Sequence, residues 1–103
     1  MIKHTCYDLG KLSGGERVEI TLQGNAANLR LFDRKDYQNY LDGKSFKFYG
    51  GLATQSPYNM TVPSKGTWYL AIDMQGLQGA VISTVAVYDT KGNAIIPATV
   101  VVK

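Results

Sequence analysis

A second cysteine, a second histidine and any long apolar run are missing from this 103-residue chain. With Cys6 alone, an intrachain disulfide is excluded, and a reducing cytosol is the natural compartment. With His4 as the one imidazole, any Ser-His-Asp or Cys-His site has to be built on it. Cys6 lies two residues from His4, so on a strand both face one side. Such catalytic pairs normally meet through the fold and not through sequence proximity. The simpler reading puts both near the surface or edge of an N-terminal strand. A zinc site needs three or four ligands, more than one His and one Cys supply without carboxylates, and no metal or other cofactor is expected. No segment approaches the ~20 apolar residues of a membrane span; "AIIPATVVVK" is short and contains Pro97. The opening "MIKHTCYDLGKL" lacks an apolar h-region and a small-residue cleavage site, so no signal peptide is expected.

Charge of one sign is also scarce. Eleven Lys and Arg against eight Asp and Glu leave a net charge of +3, a weak argument for an anionic partner. The length fits one domain spanning 1–103 with its own core.

What is present is period two. "ERVEITLQ" sets Val18, Ile20 and Leu22 against Arg17, Glu19 and Thr21, the pattern of a half-buried strand. "NLRLFD" sets Leu29 and Leu31 against Arg30, and "SPYNMTV" sets Tyr58, Met60 and Val62 against Asn59 and Thr61. "TWYLAIDM" sets Trp68, Leu70, Ile72 and Met74 against Tyr69, Ala71 and Asp73. "AVISTVAVY" and "AIIPATVVV" are β-branched and strand-like. "FKFYGG" reads as a strand with Phe46 and Phe48 on one face, turning at Gly50-Gly51. One segment departs from alternation. In "DRKDYQNYLDG", Tyr37, Tyr40 and Leu41 recur at helical spacing, with Asp33 as N-cap, Asp36 in the first turn and Gly43 as the stop. The whole predicts an all-β, jelly-roll-like β-sandwich of seven to eight strands with one short helix near residues 34–42.

The chemistry thins out on inspection. Among candidates for a carboxylate pair, Asp33, Asp36 and Asp42 are explained by the helix and its turns, and Asp73 has no evident partner. Gly14-Gly15 and Gly50-Gly51 lack the spacing of a phosphate loop, and neither pair opens a helix. Arg34, Lys35, Lys44 and Lys47 interleave with Tyr37, Tyr40, Phe46, Phe48 and Tyr49, as single-stranded nucleic-acid sites do. The three nearby aspartates dilute that field, and the aromatics have better uses as core, which argues against nucleic acid.

The ordered pieces "HTCYDL", "GERVEITLQGNAANLRLFD", "YQNYLDG", "YGG", "SP" and "VPSKGTWYLAIDMQGLQG" together resemble the small bacterial domain-of-unknown-function 1883 family. Its members occur alone or fused to signalling domains of the TIR type. The resemblance runs from about residue 4 to residue 88. It implies a compact all-β sandwich of jelly-roll type and no established enzymatic activity. It places Arg30, Asp33, Tyr49, Gly50, Gly51, Trp68 and Asp73 in the family pattern. The "AIIPATVVVK" tail lies beyond it and reads as an added closing strand.

The expected function is a non-enzymatic binding or interaction module for a small polar ligand or a protein partner. The expected site is Arg30, Tyr49, Gly50, Gly51, Tyr69 and Asp73. Arg30 faces out to meet an anion, or pairs internally with Asp73. Tyr49 offers a stacking face beside the bare backbone of Gly50-Gly51, and Tyr69 is the better exposed aromatic of β-strand "TWYLAIDM". Two alternatives stand beside this. One is assembly into a homo-oligomer through a C-terminal edge strand. The other is a carbohydrate-binding module resting on exposed Tyr49 and Tyr69.

Overall fold

The computed structural model describes residues 4–77, 79–95 and 99–102. Eight strands and one helix follow in order: β1 (His4–Leu12), β2 (Arg17–Gly24), β3 (Ala27–Asp33), α1 (Arg34–Leu41), β4 (Tyr49–Ala53), β5 (Tyr58–Thr61), β6 (Gly66–Asp73), β7 (Val81–Tyr88) and β8 (Thr99–Val102). They form an antiparallel two-sheet sandwich, with a five-stranded sheet in the order β4-β3-β6-β1-β8 and a three-stranded sheet in the order β5-β2-β7. Three pairings nest: β1 with β8, β2 with β7 and β3 with β6. Pro97 of the C-terminal segment lies outside the described residues.

The alternation read from sequence decides which side chains fill the space between sheets. Val18 and Ile20 of β2, Leu29 and Leu31 of β3 and Leu70 of β6 are fully buried there. Trp68 and Ile72 share that face of β6. Each such aliphatic side chain contributes roughly 1.5–3 kcal/mol relative to exposure.

The opposite face of the five-stranded sheet is not left to solvent. Helix α1 follows β3 without a linker and folds back over it. Asp33 caps it, with Oδ1 accepting the Asp36 N–H at 2.9 Å, and Gly43 ends it with φ +72°. At eight residues α1 is too short to persist alone, and its hold on the sheet is aromatic. Tyr37 and Tyr40 bury against Cys6, Phe32 and Ala71 in a second, smaller core.

Three sequence expectations change here. His4 and Cys6 are not at a surface or an edge; both are buried, because β8 pairs outside β1 and α1 roofs that face. Phe46 and Phe48 do not belong to a strand. Residues 44–48 form an irregular connection that carries the chain from the helix back to the sheet, with Phe46 tucked between Phe32 and Tyr40 at centroid distances of 6.0 and 5.1 Å. Gly50-Gly51 is not a corner. Both glycines lie inside β4, opposite Arg30 and Leu29, with φ +126° and +145°. A Cβ on Gly50 would collide with the Leu29 carbonyl, so close approach of β4 to β3 fixes that glycine.

Candidate functional site

The residues singled out in the sequence divide between a closed polar cluster and an open cleft. The cluster is centred on Asp73, the last residue of β6, which faces α1 and is 1% exposed. Register places Asn28 directly opposite it on β3, and Arg30 two residues further along the same face. Arg30 Nε donates to Asp73 Oδ2 at 2.9 Å, and the Tyr40 hydroxyl donates to the same oxygen at 2.7 Å. Asn28 Nδ2 and the Gln75 N–H donate to Oδ1 at 2.8 and 3.2 Å. Burial pushes the Asp73 carboxyl up, but the four donors outweigh it and hold it below the usual carboxylate range. Burial, followed by the bond to Asp73, pushes the Tyr40 phenol well above its ordinary value. Tyr37 is likewise raised, first by burial and then by its bond with Cys6.

Of the two roles open to Arg30, internal pairing with Asp73 is the one observed. Its side chain is 14% exposed, and its guanidinium carbon lies 4.9 Å from the Phe48 ring centroid and 5.5 Å from that of Phe46. Tyr69 is also not a free platform. Half-buried under α1, it stacks on Tyr37 at 4.8 Å with planes 22° apart. Alternation assigns its β6 face to solvent because it is not the inter-sheet face; the helix covers it instead. Arg30, Asp73 and Tyr69 therefore belong to the packing between helix and sheet.

Tyr49 stands apart. It is 54% exposed, at the start of β4. Its ring meets Trp68 edge-on, with centroids 6.2 Å apart and planes at 62°. Together they border a cleft of about 590 Å³ between the first turns of α1, the 44–48 connection and the turn at Ser64. Phe32, Phe46 and Trp68 line it with apolar surface. Trp68 is itself fixed, with its indole N–H donating to the Ser64 carbonyl at 2.9 Å. Lys35, Asp36, Asn39 and Lys47 bring polar groups to the same space, with Asp33 beside them.

Asp33 and Asp36 are held in place by the backbone. Each commits its Oδ1, to the N–H of Asp36 at 2.9 Å and of Lys47 at 3.1 Å respectively. Among the described residues, the Lys35 and Lys47 ammonium groups, the Asn39 amide and the Ser45 hydroxyl have no hydrogen-bond partner within the chain. Sequence reading picked out Tyr49, Lys35 and Lys47 but not Asn39, Ser45 or Ser64. Helical spacing offers one signal: Lys35, Asp36 and Asn39 lie within five residues, with Asp36 and Asn39 three apart on one side of α1. Nothing local to Ser64 announces that its turn faces the same cleft as the helix.

Among the described residues, no group of three His, Cys, Asp or Glu side chains is placed to hold a metal ion. No helix among them is long and apolar enough to cross a membrane. Residues 2–91 match the model of a protein family described as a domain of unknown function, DUF1883. No curated protein and no solved structure matches the chain.

Proposed function

The chain belongs to the DUF1883 domain family, and from that premise we propose that it is a non-enzymatic binding or interaction module working in a bacterial cytosol. Its ligand or partner docks in the Tyr49 cleft. The observation that carries this reading is one exposed aromatic ring beside a cleft in which the Lys35, Lys47, Asn39 and Ser45 side chains have no hydrogen-bond partner among the described residues. Ligand sites generally combine such apolar lining with a few convergent polar groups, in clefts of about 300–1,000 Å³. The Arg30–Asp73–Tyr40 cluster contributes indirectly, by locking the helix that forms one wall. A jelly-roll winding, on which the nested strand pairings bear, supplies the rigid frame.

The test is a thermal-shift screen of sugars, nucleotides and short peptides, followed by amide NMR mapping of every hit. A ligand that binds the folded state raises its apparent stability. Hits are expected to perturb Asn39, Lys47 and Tyr49. Hits confined to the opposite, three-stranded sheet would overturn the reading.

A second reading, assembly, draws on the position of β8 at an edge of the five-stranded sheet. Light scattering coupled to size-exclusion chromatography separates the two: a strict monomer removes assembly through β8.

A further inference from the structure

We propose that the Tyr49 cleft is a saccharide site, taking an uncharged oligosaccharide with Tyr49 as its stacking face. This rests on the binding-module reading above and narrows it to a chemical class. Three features of the cleft select that class.

The first is charge. Lys35 and Lys47 are matched by Asp33 and Asp36, two cations against two anions around one opening. A phosphate-bearing ligand finds no net positive field there, whereas nucleic-acid and nucleotide sites concentrate cations around the phosphates. The second is the alternation of donors and acceptors. A sugar hydroxyl both donates and accepts. Asp33 and Asp36 each keep one carboxylate oxygen uncommitted, because the backbone bonds use only Oδ1. Lys35, Lys47 and Asn39 supply donors on the same rim, and Asn39 an acceptor as well. The third is the platform. Tyr49 presents more than half of its surface to solvent, while Trp68 meets it edge-on from a fully packed position. A supported, exposed ring matches the apolar C–H face of a pyranose. The cleft has room for more than one sugar ring.

Trp68 is the one tryptophan of the chain and stands beside Tyr49, so its emission reports on the site directly. The experiment titrates the full chain with neutral gluco-, manno-, galacto-, xylo- and N-acetylglucosamine oligosaccharides. Adenosine, ATP and a short single-stranded DNA are run in parallel. At least one oligosaccharide is expected to change Trp68 emission saturably, with an affinity insensitive to salt. Tyr49→Ala is expected to weaken that binding about tenfold or more, Tyr49→Phe to retain it, and Asn39→Ala to weaken it while leaving the circular dichroism spectrum unchanged. Adenosine, ATP or DNA moving the same signal when no oligosaccharide does would overturn the saccharide assignment and leave the binding module standing. Saccharide binding that survives Tyr49→Ala unchanged would also overturn it. Silence from every probe, in fluorescence and in amide NMR mapping of the cleft, would overturn both readings.

Discussion

Asp73 and Asp36 are both aspartates set among aromatic rings and near cations, yet they stand in opposite situations. Asp73 is sealed beneath α1 with donors on both oxygens, from Arg30, Tyr40, Asn28 and the Gln75 backbone. Asp36 is partly open to solvent at the mouth of a cleft, with one oxygen bonded and one unspent. The helix makes both. Its inward tyrosines close the first region, and its first turn builds the rim of the second. A fully satisfied buried carboxylate has nothing left to offer a ligand, so its worth is structural. A half-satisfied, backbone-anchored one at a surface is pre-organised to accept a further donor.

The largest predicted effect breaks the closed region. Asp73→Ala leaves the Arg30 guanidinium without its counter-charge and the Tyr40 hydroxyl without its acceptor, and strips the Asn28 amide of one of its two acceptors. Removing one partner of a buried ion pair costs about 3–5 kcal/mol, against a typical total of about 5–15 kcal/mol. Urea unfolding at neutral pH measures it. A loss below about 1 kcal/mol would place this cluster with weak surface pairs.

The same cluster sets a pH signature on both sides of neutrality. The Asp73 carboxyl is depressed in the folded state, so the unfolded chain binds its proton first as pH falls. Its stabilisation is complete above the unfolded value of about 4 and is lost as pH drops below it. Asp89, held low by the Asn93 backbone N–H first, keeps part of that acid limb in the Asp73→Ala variant. The limb is therefore expected to flatten and not to vanish. The Tyr37 and Tyr40 phenols are raised, which reverses the sign. Their contribution is complete below about 10 and is lost as pH rises past it. Tyr40→Phe deletes one hydrogen bond to a charged group, worth about 1.5–3 kcal/mol, so it should lower stability at neutral pH and flatten the alkaline limb, because one raised phenol no longer titrates. Denaturant midpoints across the pH range check both limbs.

Much of this fold is readable from alternation, and the reason is physical. Where one strand face meets the other sheet, apolar residues must recur every second position, as Leu29 and Leu31 or Trp68, Leu70 and Ile72 do. The helix is readable for a similarly local reason, since Asp33, Asp36 and Gly43 satisfy its ends within a few residues. What local pattern could not convey is which second face is roofed. Tyr69, Ala71 and Asp73 look like a solvent side until α1 is laid over them. His4 and Cys6 look peripheral until β8 pairs beyond β1. The proposed site suffered in the same way. The sequence joins Arg30, Tyr69 and Asp73 to Tyr49, Gly50 and Gly51 in one expected site. Side-chain parity sends Arg30 and Asp73 under the helix. Tyr49 lies opposite Leu31 in the β3–β4 register, and its ring stands with Trp68 at the cleft.

A smaller effect tests the element shared by both regions. Asp33→Ala removes the α1 cap, and with it the bond to the Asp36 N–H that helps to fix the cleft rim. Such caps are worth about 1 kcal/mol. The loss should appear as reduced amide-exchange protection in the first turn of α1, while Asp73 contacts at the other end of the helix persist. Uniform loss of protection across α1 would show that the two regions do not separate.

The smallest stability effect belongs to Tyr49, and it sharpens the comparison most. Its ring is more than half exposed, and its main neighbour, Trp68, is anchored independently through Ser64. Tyr49→Ala should therefore change unfolding free energy by no more than about 0.5 kcal/mol, the usual range for surface substitutions. Asp73→Ala and Tyr49→Ala then form opposed cases: one removes stability without deleting any side chain that lines the cleft, the other leaves stability and removes the cleft's exposed ring. Paired urea curves and amide NMR maps of the two variants decide it. If Tyr49→Ala destabilises by several kcal/mol, the ring is part of the packed frame, and its exposure is no guide to what the cleft does.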